Sequence, residues 1–152
     1  MVPVVDLSEL TGLVLEQLRP HAEERNVALQ FMPCMGARVR LSAERVRVLV
    51  TNLVMNALQH SPAGQTVQVT LRTERNSVIL EVQDSGAGIS VEALPHIFER
   101  FYREDRSRSR DTGGTGLGLS ICKSIVEAAS GSIAVDSASG RGTRVTATFS
   151  AA

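Results

Sequence analysis

Between residues 46 and 58 the chain sets Val46, Leu49, Val50, Leu53, Val54, Ala57 and Leu58 at helical spacing. Ser42 stands ahead of them as an N-cap, and Ser61, Pro62 and Gly64 stop the helix. A stripe this wide must be buried against another layer. The partners are segments of period two. Val67, Val69 and Leu71 alternate with polar residues, as do Val78, Leu80 and Val82 after the polar turn at 74–77, which predicts a hairpin. Ile133 and Val135, then Val145, Ala147 and Phe149, predict another hairpin around 139–143. Val27, Leu29 and Phe31 predict a strand, with 38–41 as its short partner across the turn at 33–36. Asp6 and Glu9 form a capping pattern for a helix carrying Leu7, Leu10, Val14, Leu15 and Leu18, which Pro20 is expected to kink or end, with a further turn available to Glu24. A short helix is expected near 91–98. A longer one carries Leu119, Cys122, Ile125, Val126 and Ala129, with Gly131 expected as its C′ residue. The order implies an α+β fold with helices stacked on one face of a mixed sheet.

The 152 residues fit one domain with a self-sufficient core, with neither an internal repeat nor a linker to divide them. Sixteen basic residues balance sixteen acidic ones, so no global field favours nucleic acid or an anionic membrane. With 3% aromatics and no Trp, base-stacking platforms are also disfavoured. Cys34 and Cys122 lie far apart in no metal-binding spacing, so neither a disulfide framework nor a zinc site is expected, and a reducing cytosol fits. No apolar run approaches the ~20 residues that span a bilayer, and the first residues do not read as a signal peptide.

Three local patterns carry chemistry. Residues 113–120, GGTGLGLS, open a helix as phosphate loops do, where glycine lets backbone N–H groups approach oxygens closely. The run is neither a Walker A loop nor a Rossmann fingerprint, and alone it reads more readily as a flexible loop than as a site. Asp84, Gly86 and Gly88 follow an apolar strand. A carboxylate there can accept a hydrogen bond from an exocyclic amine, although an isolated pattern of this kind also describes an ordinary turn. Asn52, Asn56, Gln59 and His60 share one face of the 44–60 helix, opposite the apolar stripe. Asn is a poor helix former, and its amide carbonyl suits Mg²⁺; a solvated polar face is the plainer alternative.

The patterns together are more specific than any one of them. Asn52 and Asn56, then Asp84, Gly86, Gly88 and Ile89, then Phe98 and Phe101, then residues 113–119 resemble, in order, the N, G1, F and G2 boxes of sensor histidine kinases. The resemblance runs from about Asp6 to Phe149. It implies the Bergerat ATP-binding fold, a two-layer α/β sandwich with a mixed, mainly antiparallel sheet and about three helices on one face. It also implies that residues 1–152 form one catalytic domain, with the phosphoacceptor and dimerisation domain outside it.

Residue by residue, the resemblance implies that Asn56 coordinates Mg²⁺ and Asp84 takes the adenine N6 hydrogen bond. Gly86, Gly88 and Ile89 would shape the adenine pocket, with His60 beside the base and Thr143 near it. Gly114, Thr115, Gly116, Leu117 and Gly118, with Leu119 following, would cradle phosphates. Phe98 and Phe101 would hinge a lid whose Arg103 reaches the γ-phosphate. Arg103 and Asn52 stand at the catalytic positions. Asn52 occupies the place where ATP-hydrolysing members and anti-sigma serine kinases carry a Glu general base, and an amide cannot serve as one. Gln59 departs from the Lys common there, which leaves more charge stabilisation to Arg103 and Mg²⁺.

His21 stands in a weak likeness of an acceptor-histidine box, but it follows Pro20 and lacks the downstream proline. The implied activity is transfer of the γ-phosphoryl group of Mg·ATP to a histidine on the dimerisation domain, and onward to a response regulator. The isolated domain is expected to be monomeric, with little ATPase activity and no nucleic-acid or direct membrane contact. The parent protein could be anchored in a membrane. The competing readings are a non-catalytic nucleotide-binding regulator and an anti-sigma-type serine kinase or ATPase. Residues 103–112 contain no apolar residue, and 105–112 are expected to order poorly without nucleotide.

Overall fold

The computed structural model describes residues 2–88, 93–99, 118–138 and 140–152. Strands β1 (Val4–Asp6), β2 (Ala28–Met32), β3 (Arg38–Arg40), β4 (Thr66–Glu74), β5 (Ser77–Gln83), β6 (Ser132–Ala138) and β7 (Gly142–Ser150) accompany helices α1 (Leu7–Glu24), α2 (Ala43–His60) and α3 (Gly118–Ala128). A 3-10 turn occupies Leu94–His96, shorter than the helix expected over 91–98, whose residues 91–92 lie outside the described set.

The helices start where their caps are. The Asp6 carboxylate accepts a bond from the Glu9 N–H at 3.1 Å, and the Ser42 hydroxyl accepts one from Arg45 at 3.2 Å. Pro20 does not end α1, which continues one more turn to Glu24. At the end of α3 the expected cap is shifted by one residue. Ser130, not Gly131, takes the left-handed conformation (φ 61°) as C′. Its N–H donates to Glu127 O, and Gly131 N–H donates to Val126 O, both bonds of a Schellman closure. Gly131 is required for a different reason: a Cβ there would overlap the Thr148 carbonyl oxygen on β7.

Five strands form the main sheet in the order β2-β4-β5-β7-β6. β2 runs parallel to β4, and the other pairings are antiparallel. The parallel pair follows from connectivity, since β2 reaches β4 only after the crossover through α2. The expected hairpin between 27–31 and 38–41 does not form. β3 instead pairs antiparallel with β1, placing Val4 opposite Arg40 and Asp6 opposite Arg38.

The three described helices pack on the sheet's apolar face. Leu49, Val50, Leu53, Val54 and Leu58 of α2 meet Val67, Val69, Val78, Leu80, Ala147 and Phe149 from the strands in one buried cluster. α1 and α3 flank α2, so α2 is the central helix. Cys122 of α3 is fully buried in this cluster, and burial pushes its thiol up to about 12, which leaves it protonated and inert. Among the described residues, no helix is long and apolar enough to cross a membrane.

Candidate nucleotide site

One side of α2, flanking its buried stripe, carries Asn52, Asn56, Gln59 and His60. The first three are half-buried and His60 is exposed. Each marks a step along a helix that rises about 1.5 Å per residue, so Asn52 and His60 stand about 12 Å apart along the axis. The two ends of this face meet different neighbours.

At the His60 end lies the turn that follows β5. Gln83 on β5 pairs with Arg144 on β7, which brings Asp84 opposite Thr143. Asp84 is 4% exposed. Its Oδ1 accepts bonds from the Gly86 N–H at 2.9 Å and the Thr143 N–H at 3.2 Å, and its own N–H donates to Thr143 O at 2.9 Å. Oδ2 accepts no bond from a described residue and remains available to a ligand donor. Burial raises the Asp84 pKa, while the Gly86 and Thr143 N–H bonds and the nearby His60 pull it back.

Two glycines make this approach possible. A Cβ on Gly86 would overlap the His60 carbonyl oxygen at the end of α2, and one on Gly142 would overlap the Asp84 carbonyl. Gly142 also holds φ at +88°, which other residues rarely adopt. The His60 Nδ1 lies 2.7 Å from Asn56 O, and because a carbonyl only accepts, Nδ1 carries the proton.

At the Asn52 end lies the start of α3. The Asn52 amide Nδ2 donates to Val48 O at 2.8 Å, which fixes the side-chain flip. Its Oδ1 faces Gly118, where a Cβ would come within 3.3 Å of it. The N-terminus of α3 carries no acidic residue in its first turn, so its backbone dipole is not neutralised from within the helix. Between the ends, the Asn56 side-chain amide has no partner among the described residues. The site is thus elongated, with a buried carboxylate at one end and a helix N-terminus at the other.

Residues 42–152 match the family of histidine kinase-, DNA gyrase B- and HSP90-like ATPases. The chain belongs to this ATPase family. Within it, the sensor histidine kinase RppB of Synechocystis is 50% identical over 98 residues, covering 64% of this chain and 22% of the relative. The sensor histidine kinase CusS of Escherichia coli K12 is 38% identical over 150 residues, covering 97% of this chain and 30% of the relative. The nucleotide-free catalytic domain of the histidine kinase ThkA superposes with a TM-score of 0.85 at 25% identity, covering 99% of this chain and 96% of that one. The chain therefore has the fold of a histidine-kinase catalytic, ATP-binding domain, and it spans less than a third of the length of these curated relatives.

Of the residues expected from sequence, the structure brings Asp84, Gly86 and Thr143 to the His60 end of α2 and Gly118 to Asn52, with Asn56 and Gln59 on α2 between them, while Gly88 follows the Asp84 turn with φ at +81°. Leu119 is half-buried and packs on the core cluster. Phe98 is also half-buried, with the Lys123 ammonium 5.7 Å from its ring centroid. Ile89, Phe101, Arg103, Gly114, Thr115, Gly116 and Leu117 lie outside the described residues, as does the 105–112 stretch.

Sequence reasoning missed Ser137. It stands directly across from Thr143, with the two hydroxyls 2.9 Å apart and the Ser137 hydroxyl 2.8 Å from Gly142 O. Only the β6–β7 register reveals that contact, and a lone serine in a strand carries no signal of it. Ala87, whose carbonyl accepts from Gly140 N–H, ties the Asp84 turn to the β6–β7 turn in the same way.

Proposed function

We propose that residues 1–152 are the catalytic domain of a sensor histidine kinase that binds Mg·ATP and donates its γ-phosphoryl group to a histidine on a separate dimerisation domain. The observation that carries this reading is the buried Asp84 carboxylate, held through Oδ1 by two backbone N–H groups while Oδ2 is left for a donor such as adenine N6. A neutral side chain would hold the turn equally well, so the charge has a use beyond the fold.

Asn56 fits the expected metal. Its half-buried carbonyl oxygen is a hard donor with no competing partner among the described residues. Those residues hold no cluster of three His, Cys, Asp or Glu, so Mg²⁺ would take most of its ligands from phosphates and water. When bound, Mg²⁺ would neutralise phosphate charge. The α3 N-terminus at Gly118 would add its dipole, and Gly114, Thr115, Gly116 and Leu117 their backbone N–H groups. Arg103 would meet the γ-phosphate, while Gln59 would line the pocket between its ends and His60 would stand beside the base.

Asn52 supports transfer over hydrolysis. Its Nδ2 is committed to Val48 O, and its amide cannot take a proton from water near neutral pH. Catalysis on this side is positioning and charge stabilisation. The imidazole nitrogen of the partner attacks the γ-phosphorus, the bond to the bridging oxygen breaks, and ADP leaves. The imidazole proton passes to a carboxylate supplied by the partner domain. The phosphoryl group then goes to a response regulator. We place the domain in the cytoplasm, as a monomer when isolated, with the parent protein anchored in a membrane.

Mixing the chain with a cognate dimerisation hairpin and γ-labelled ATP should label the acceptor histidine, and Asp84→Asn should abolish the label. A folded wild-type chain that binds ATP yet leaves the histidine unlabelled would overturn the transfer reading.

A further inference from the structure

Lys123 is the chain's only lysine. It lies on the exposed side of α3, five residues beyond Gly118, and no carboxylate among the described residues pairs with it. Its ammonium instead stands over the Phe98 ring, 5.7 Å from the centroid. A cation at that distance from an aromatic face is attracted by the ring quadrupole. Phe98 lies in the described stretch 93–99, which is anchored by the buried Ala93 and Ile97, with His96 and Glu99 paired to each other at 2.7 Å. The Lys123–Phe98 contact therefore joins the segment following the Asp84 turn to the helix whose N-terminus faces Asn52.

We propose that Lys123 is a positioning residue for the nucleotide pocket. By holding Phe98 against α3 it sets the 93–99 segment, which follows the Asp84 turn in the chain, relative to the helix whose N-terminus faces Asn52, and so biases the free protein toward the binding-competent pocket. This rests on the reading of the site as a nucleotide pocket. Lys123 acts through Phe98 and makes no contact of its own with the ligand.

The contact is exposed, so its effect is small but measurable. Calorimetric titration with ADP should show Lys123→Met weakening binding about two- to fivefold. Lys123→Arg, which keeps a cation over the ring, should restore most of the loss. Phe98→Leu should weaken binding similarly, and the double variant should be no weaker than the worse single one. Adenosine should report the same dependence on Lys123 as ADP, because the residue sets pocket geometry and does not touch phosphate.

An unchanged Kd in Lys123→Met, additive losses in the double variant, or a loss seen with ADP and absent with adenosine would each overturn the proposal. Asp84→Asn serves as the control: wild-type binding that does not depend on Asp84 would remove the nucleotide reading, and the proposal with it. A second measurement does not need Phe98→Leu to fold or nucleotide to bind. Reductive methylation with ¹³C-formaldehyde keeps the charge of Lys123 and yields one lysine signal beside that of the α-amino group. Its N-methyl protons should be shifted upfield by the Phe98 ring, and a random-coil shift in the folded chain would contradict the contact.

Discussion

The two long faces of α2 serve opposite ends. On one face Val46, Leu49, Val50, Val54 and Leu58 are fully buried, with Leu53 at 1% exposure, and every group is used for packing. On the other, Asn52, Asn56 and Gln59 are half-buried amides in a helix that Ala or Leu would stabilise better. Neither the Asn56 nor the Gln59 side chain finds a partner among the described residues. One face is optimised for the fold; the other carries a cost to stability that a bound ligand explains. The difference teaches that function is best sought where a helix departs from its own structural interest.

Substitutions on the two faces should separate stability from binding. The largest effect belongs to the apolar face: Leu53→Ala should cost about 3 kcal/mol by removing packing that neighbours cannot refill, measured as a lower urea midpoint. Next comes Gly86→Ala, where the new methyl group meets the rigid His60 carbonyl and not a side chain that can turn away. It should cost about 1–3 kcal/mol and weaken nucleotide binding, since the Asp84 turn must shift. A stable Gly86→Ala that binds normally would mean the turn tolerates more than its geometry implies.

The smaller effects sharpen the contrast. Thr11 on α1 is fully buried, and among the described residues its hydroxyl is the one side-chain polar atom wholly enclosed by protein and left unbonded, unlike Asp84 Oδ2, which a ligand can reach. Thr11→Val should raise stability by about 1 kcal/mol and leave nucleotide affinity alone, because this polarity serves no ligand. Asn56→Ala should gain only about 0.5 kcal/mol in a thermal melt while abolishing the Mg²⁺ dependence of ATP binding. An Asn56→Ala chain that retains that dependence would remove Asn56 from the metal.

Much of this arrangement was legible in the sequence, for reasons that are local. The caps at Asp6 and Ser42 and the stripes of α1 and α2 need only neighbours in sequence, as do the alternating strands β4 and β5. What failed depended on distant parts of the chain. β1 is three residues long and is a strand only because β3 lies beside it. The turn at 33–36 suggested a hairpin, but β2 finds its partner beyond α2. Gly131 looked like a helix cap because a helix ends before it, whereas its real constraint is the Thr148 carbonyl on another strand. At the site, Asp84 and the asparagines were legible from the order of their motifs. The Ser137–Thr143 contact and the two backbone donors on Asp84 Oδ1 were not, since they depend on strand register.

Asp84 gives the most direct test of the central claim, that the polar end of α2 and the β5 turn form a nucleotide pocket kept at some expense to the fold. Burial lifts its folded pKa above the unfolded value, so the native state binds the proton more tightly. Its ionisation therefore costs nothing below the usual Asp value near 3.8, and the cost develops as pH rises through the folded pKa. Asn keeps an oxygen to accept from Gly86 and Thr143 without that charge. The measurement is a paired one on wild type and Asp84→Asn: urea unfolding across pH, and calorimetric titration with ADP and Mg·ATP. The account predicts that Asp84→Asn is at least as stable as wild type at neutral pH, that any advantage vanishes in acid, and that nucleotide binding is lost. An Asp84→Asn chain that is well folded and binds nucleotide as wild type does would contradict it.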